Sequence, residues 1–310
     1  MPLNALFAAN PKRWPDYEPE LNRAFAEAGL DVHLSREIAP EEVDYIVYAP
    51  GSAVQDFTPY TRLKAVLNLA AGVESIAPNK TLKVPLARLV DTGLTQGMVE
   101  WVTGHVLRYH LGMDAHIINP THAWVPECPP LSRDRTVTVL GLGTLGLACA
   151  EALAALGFNV AGWSRSPKQH DSIQCFSGDQ GLKDAVAHGQ ICVLLLPSTP
   201  DTANTLNAET LALMPRGSFV INPGRGPLID DAVLLAALET GQIAHATLDV
   251  FRKEPLPASD PYWAHPKVTV TPHIASETRA DTSSEVVAEN IRRCEAGEPL
   301  LHLVDRSVGY

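Results

Sequence analysis

The sequence predicts an α/β protein built from two doubly wound, parallel-sheet domains. Three observations predict it. Short apolar or β-branched runs alternate with helical stretches along most of the chain, a pattern that leads to parallel pairing with right-handed crossovers. Residues 136–160 read TVTVLGLGTLGLACAEALAALGFNV: strand-like run, glycine turn, Ala/Leu-rich helix, second apolar run. And 310 residues, 45% hydrophobic and 19% charged, are long for one domain and comfortable for two.

Taken in order, residues 4–9 read as a short buried strand. Residues 17–28 place Leu21, Phe25 and Ala28 at helical spacing and stop at Gly29. Further strands are expected at 31–34, 43–49, 63–70 and 85–90, with Pro50-Gly51 closing the third run. These make residues 1–98 a small α/β domain. Residues 97–116 lack proline and read as a long helix leading through the Pro-rich 120–130 into the glycine stretch. After the glycines, strands are expected at 159–163, 191–197, 218–222, 245–250 and 268–272, with helices such as 208–214 and 230–240 between them. The helix at 230–240 opens on Asp230, a favoured cap. The second domain is placed at 99–274. A helix at 277–296 and the apolar 300–304 are expected to cross back and complete the first domain.

Gly141, Gly143 and Gly146 form a GxGxxG between a strand and a helix, the context a dinucleotide-binding fingerprint requires. Gly141 suits the tight turn, Gly143 lets backbone N–H groups approach a pyrophosphate, and Gly146 lets helix and strand pack closely. The N–H groups and positive dipole end at the start of the helix, around Thr144 and Leu145, favour an anion. An NAD site has an acid about 20 positions past the glycines. Here Gly162-Trp-Ser164-Arg165-Ser-Pro-Lys168 contains none. Ser164 stands in its place, and Arg165 and Lys168 could face a 2′-phosphate. NADPH is therefore expected, with NADH possible.

A net charge of −11 without a basic patch argues against nucleic acid. No apolar run reaches the roughly 18 residues that span a bilayer, and the N-terminal stretch lacks the basic and long apolar parts of a secretory leader. The five cysteines (128, 149, 175, 192, 294) are scattered and odd in number, which favours free thiols in a reducing, cytoplasmic setting. Neither HExxH nor paired-Cys spacing appears, so no metal is expected. Without a GxSxG elbow, a hydrolase is the weaker reading.

Three segments place polar residues at the carboxyl ends of expected strands, where ligands of open α/β sheets bind. They are Asn222-Pro223-Gly224-Arg225-Gly226-Pro227, Leu248-Asp249-Val250-Phe251 running to Glu254-Pro255-Leu256-Pro257, and Thr271-Pro272-His273-Ile274-Ala275-Ser276. With the glycine stretch, this ordered set resembles the D-isomer-specific 2-hydroxyacid dehydrogenases, most closely their glyoxylate/hydroxypyruvate reductase A branch. The likeness covers nearly the whole chain and is strongest over 137–276. One departure is Gly224, where the family usually has alanine.

The resemblance implies a Rossmann cofactor domain inserted into a flavodoxin-like substrate domain, with an interdomain cleft. It assigns catalysis to Arg225, Glu254 and His273. Hydride arriving at the carbonyl of a 2-oxo acid leaves an alkoxide needing a proton. His273 can donate it, Glu254 can favour and orient the imidazolium, and Arg225 can clamp the substrate carboxylate and polarise the keto oxygen. The resemblance also implies that Leu196, Pro197, Ser198 and Thr202 lie along the adenosine side of the cofactor. Pro223 and Ala275 are expected at the cofactor, and Asp249 at the nicotinamide carboxamide. In the first domain, backbone at Ala71, Gly72 and Val73 is expected to bind the substrate carboxylate, with Tyr48 near the substrate. A homodimer through the cofactor domain is implied, with Trp124 near the subunit boundary and packing its simpler role. Two alternatives stay open: a dehydrogenase of the same family for another 2-keto acid, and a nucleotide-sensing interaction protein on the same fold.

Overall fold

The computed structural model describes residues 2–124 and 126–306. The chain divides into two compact units, Met1–Leu94 with Glu277–Tyr310, and Thr95–Ser276.

The first unit contains β1 (Leu3–Ala8), α1 (Trp14–Glu27), β2 (Val32–Ser35), β3 (Tyr45–Tyr48), β4 (Ala65–Asn68) and β5 (Leu86–Ala87). Its sheet runs β2-β1-β3-β4-β5, with every pair parallel. Alternation along β3 sends Tyr45 and Val47 into one apolar cluster, and Ile46 and Tyr48 into another. Both faces are covered, which is why this strand reads as a continuous apolar run. α1 lays Tyr17, Leu21, Ala24 and Phe25 on the Tyr45 face. The helix begins earlier than its periodicity suggests because Pro15 is tolerated in a first turn. It ends where Gly29 takes a φ of +69°.

α2 (Thr92–His110) begins and ends before the expected 97–116. Asp91 Oδ1 accepts from Leu94 N at 2.7 Å and caps its start. Gly112, at φ +62°, ends it, and Met113 N closes back on Arg108 O at 3.0 Å. α3 (Asp114–Ile117) is a short separate turn.

The second unit continues with β6 (Thr136–Leu140), α4 (Thr144–Ala155), β7 (Asn159–Ser164), β8 (Ile173–Ser177), α5 (Gly178–His188), β9 (Ile191–Leu194), α6 (Ala208–Leu213), β10 (Ser218–Asn222), α7 (Asp231–Glu239), β11 (Ile243–Leu248) and β12 (Val268–Val270). The sheet order is β12-β11-β10-β9-β6-β7-β8, again all parallel. β8 and α5 were not individually legible: β8 is an edge strand in which only Ile173 is fully buried, so no alternation marks it. α8 (Ala280–Glu295) belongs to the first unit, where Val287, Ala288 and Ile291 join the cluster of Leu21 and Phe25.

Because all seven strands of the second unit run the same way, their carboxyl ends share one edge. From β6 the chain moves outward to β7 and β8 on one side and then to β9 through β12 on the other. The order therefore reverses between β6 and β9, the place where open α/β sheets form a crevice.

Candidate active site

The glycine turn follows β6. Gly141 sits at φ +109°, and a Cβ there would lie 2.4 Å from Leu195 O. A Cβ on Gly146 would lie 1.7 Å from Gly141 O. Neither position admits a side chain. Gly143 differs: its φ is −72°, and a Cβ would meet nothing within 4 Å. Nothing in the chain itself requires glycine at 143. Gly143 and Thr144 are exposed, Leu145 is half-buried, and no side chain caps the start of α4. The first-turn N–H groups there have no intrahelical partner, so this end of α4 fits a pyrophosphate.

β7 ends on Ser164, which is buried and donates from Oγ to Ser166 O at 2.8 Å. Arg165 and Lys168 are exposed just beyond it. Lys168 Nζ donates to Leu142 O, tying this segment to the glycine turn. After β9, Leu196 is buried and Pro197 and Ser198 half-buried. Thr202 Oγ1 donates to Pro197 O at 2.6 Å and accepts from Thr199 N at 2.9 Å, closing the turn.

The three remaining segments follow adjacent strands. After β10, Asn222 shapes the turn: Oδ1 accepts from Gly224 N at 3.1 Å and Nδ2 donates to Arg225 O at 2.9 Å. Pro223 is buried, and Arg225 is half-buried with Nη1 donating to Gly224 O at 2.6 Å. A Cβ at Gly224 would stand 2.8 Å from Leu194 O, a steric reason for glycine at this position. A Cβ at Gly226 would stand 2.1 Å from Phe251 C, so the turns after β10 and β11 are in backbone contact.

Asp249 directly follows β11 at 0% exposure. Its Oδ1 accepts from Thr271 Oγ1 at 2.6 Å and Ile274 N at 2.8 Å, and its Oδ2 from Ala275 N at 2.9 Å. Its backbone carbonyl accepts from His273 N at 2.8 Å. His273 is thereby held at φ +55°, an uncommon conformation for a residue with a side chain. The His273 ring is half exposed, and Nδ1 lies 2.7 Å from Glu254 Oε2. Glu254 Oε1 accepts from Phe251 N at 2.8 Å, so both carboxylate oxygens are fixed. An ionised carboxylate only accepts, so in this pair Nδ1 is the donor. The arrangement is an imidazole held in place by a carboxylate.

In the first unit, residues 70–72 form a half-buried loop after β4. Tyr48 does not offer its ring to this loop from solvent. It is 2% exposed and packs against Phe57 at a centroid distance of 6.2 Å. Strand alternation turns the ring into the core, and only the Tyr48 carbonyl serves the loop, accepting from Leu69 N at 2.7 Å.

Residues 115–275 match the family model described as D-isomer specific 2-hydroxyacid dehydrogenase, NAD binding domain. A glyoxylate/hydroxypyruvate reductase A of Serratia proteamaculans is 43% identical over 80% of this chain and 82% of its own length. The chain belongs to the D-isomer specific 2-hydroxyacid dehydrogenase family. Among solved structures, a D-isomer specific 2-hydroxyacid dehydrogenase of Xanthobacter autotrophicus in complex with NADPH and MES is 40% identical. It superposes with a TM-score of 0.93 over 100% of both chains. An NADPH-dependent glyoxylate/hydroxypyruvate reductase of Sinorhizobium meliloti with NADP and sulfate is 34% identical, with a TM-score of 0.87 over 99% of this chain and 100% of that one.

Several supporting residues of this family member escape a reading of the sequence. Thr271 and the carboxylate of Asp249 meet across 22 positions. Arg252, which no motif singles out, ties the turn after β11 to Asp231 at 3.0 Å and to Asn204 at 2.5 Å. Other reactive side chains have packing roles. Burial pushes the thiols of Cys149 and Cys192 up to about 12. Burial, with Arg108 nearby, pushes His105 down to about 4, so the ring stays neutral against Trp101. All five cysteines are free. Among the described residues no group of His, Cys, Asp and Glu could hold a metal ion, and no helix is long and apolar enough to cross a membrane.

The contrast between the glycines is testable. Gly143→Ala should fold with a thermal midpoint close to that of the unmodified chain yet bind NADPH at least about tenfold more weakly, a loss of about 1.4 kcal/mol. Gly146→Ala should instead lower the thermal midpoint itself. Calorimetry and fluorescence titration of NADPH check both, and unchanged NADPH affinity in Gly143→Ala would remove that residue from the cofactor site.

Proposed function

We propose that this chain is an NADPH-preferring reductase of a small 2-oxo acid, glyoxylate or hydroxypyruvate, giving glycolate or the D-2-hydroxy acid. The observation that carries the reading is the His273–Glu254 pair, 2.7 Å apart and on the same sheet edge as the glycine turn. The names of the relatives support the substrate class, and the NADPH and NADP complexes of similar structures support the cofactor. In this reading Thr95–Ser276 is the dinucleotide-binding domain, and Met1–Leu94 with Glu277–Tyr310 is the substrate-binding domain.

The start of α4, with Gly141, Gly143, Thr144, Leu145 and Gly146, would hold the pyrophosphate of the cofactor. Arg165 and Lys168 would face the 2′-phosphate, where a guanidinium can bond two oxygens at once. Leu196, Pro197, Ser198 and Thr202 would border the adenosine. When bound, a reduced nicotinamide supplies the hydride. The rest falls to the chain. Arg225 binds the carboxylate of the 2-oxo acid and draws electron density toward the keto oxygen. His273 gives its Nε2 proton to that oxygen as the carbonyl is reduced. Glu254 keeps the ring in place through Nδ1. Backbone N–H groups at Ala71, Gly72 and Val73 take the substrate carboxylate.

We also propose a cytoplasmic homodimer. Free thiols suit a reducing compartment. Leu111, Met113, Ile117, Ile118, Trp124 and Leu131 are all exposed, Trp124 at 94%, in one stretch of the second unit. An apolar run of this size marks a contact surface.

Three outcomes check these statements. His273→Gln should lower kcat by about 10²–10⁴ while leaving NADPH affinity nearly intact, and wild-type turnover would exclude His273 as the acid. Arg165→Ala should raise the KM for NADPH far more than the KM for NADH; equal effects would take Arg165 out of 2′-phosphate recognition. Ile117→Asp with Ile118→Asp should turn a dimer into a monomer in sedimentation equilibrium, and a monomeric unmodified chain would overturn the dimer.

A further inference from the structure

The loop after β4 has an asymmetric hydrogen-bond pattern. Its carbonyls are nearly all bound to donors within the first unit. Leu69 O accepts from Thr278 Oγ1 at 2.8 Å, and Ala70 O accepts from Leu89 N at 3.0 Å and from Asn68 Nδ2 at 2.8 Å. Gly72 O accepts from the same Asn68 Nδ2 at 2.9 Å, and Val73 O from Ile76 N at 3.0 Å and Ala77 N at 2.8 Å. The N–H groups show the opposite pattern. Among the described residues none accepts from Ala70, Ala71, Gly72 or Val73.

One side chain accounts for much of this. A trans peptide holds its C=O and N–H antiparallel. When Asn68 binds the carbonyls of Ala70 and Gly72, the N–H groups of Ala71 and Val73, in the same two peptides, must point the other way. Thr278 does the same for the N–H of Ala70 through the Leu69 carbonyl. Successive N–H groups turned to one side form a concave anion site.

Asn68 itself is 3% exposed, and while its Nδ2 makes two bonds, its Oδ1 is buried with no partner. A buried acceptor without a donor carries an energetic cost that an apolar side chain would avoid. The amide is therefore retained for its two donors, both spent on the loop.

We propose that Asn68, assisted by Thr278, is a positioning residue for substrate: it turns the carbonyls of the loop inward and so presents N–H groups of the loop, those of Ala71 and Val73 among them, to the carboxylate of the 2-oxo acid. This rests on the reading of the loop as the carboxylate site. Asn68 touches no substrate atom and acts only through the backbone it orients.

The test compares substrate binding with turnover and with cofactor binding. Asn68→Asp removes both donors and sets oxygen against two carbonyl oxygens; Asn68→Ala removes them without repulsion. In each, the KM for glyoxylate and the dissociation constant of oxalate from the NADPH complex should rise together by about tenfold or more, equivalent to about 1.4 kcal/mol. The kcat should stay within about threefold and the KM for NADPH should not move. Thr278→Val, at a half-buried site, should shift glyoxylate and oxalate in the same direction by a smaller factor, and it serves if the Asn68 variants fail to fold. Unchanged glyoxylate KM and oxalate affinity in the folded variants would overturn the role, as would an equal loss in kcat and NADPH binding. If the unmodified chain reduces no 2-oxo acid, the functional reading falls by itself. Oxalate titration of Asn68→Asp still decides the positioning role.

Discussion

Every neighbouring pair in the seven-stranded sheet is parallel, so the turns after β12, β11, β10, β9, β6 and β7 all leave from one edge. That geometry collects residues separated by up to 132 positions, Gly141 to His273, without any of them needing to be close in sequence. It also divides the edge into two parts. Around β6 and β7 lie the glycine turn, Arg165 and Lys168, a region of open N–H groups and cations. In the turns after β10, β11 and β12 lie Arg225, Glu254 and His273, a guanidinium, a carboxylate and an imidazole. The reversal of strand order between β6 and β9 separates the two parts.

Within the second part, one buried carboxylate does the organising. Asp249 is fully enclosed, and a charge in that position is tolerable only when its oxygens are well supplied with donors. It receives a hydroxyl and two backbone N–H groups, all from the turn after β12. The same turn forces His273 to positive φ, a conformation that persists only where the surroundings over-determine it. Asp249 provides that restraint. Asn68 plays a parallel part in the first unit. Each is a polar side chain buried at a strand end, and each is bonded to the backbone of a turn.

The legible features were those with local signatures. A strand, three glycines and a helix in sequence announced the turn after β6, because glycine is required at 141 by its own positive φ and at 146 by the carbonyl of Gly141, five positions away. His273, Arg225 and Glu254 were legible as chemistry-bearing types at strand ends. Features carried by partners far along the chain were not. The ends of α2 differ from the expected 97–116 because Asp91 and Gly112 act by capping and φ, which hydrophobic spacing does not register. Tyr48 was expected at the substrate, whereas strand alternation buries its ring beside Phe57. β8 lacked a periodic pattern because an edge strand is only partly buried.

By itself the sequence determined the α/β class, the glycine turn between strand and helix, the absence of an acid after β7, and the presence of an arginine, a glutamate and a histidine after the last three strands. Those follow from residue type and short-range spacing, which the chain carries whether or not it is folded. Only the tertiary structure decided that Nδ1 of His273 is the nitrogen held by Glu254. It alone decided that Asp249 braces the histidine turn, and that Asn68 sets the direction of the peptides after β4. Those are facts about direction, and the direction of a side chain or a peptide is set by partners that folding brings within hydrogen-bond reach.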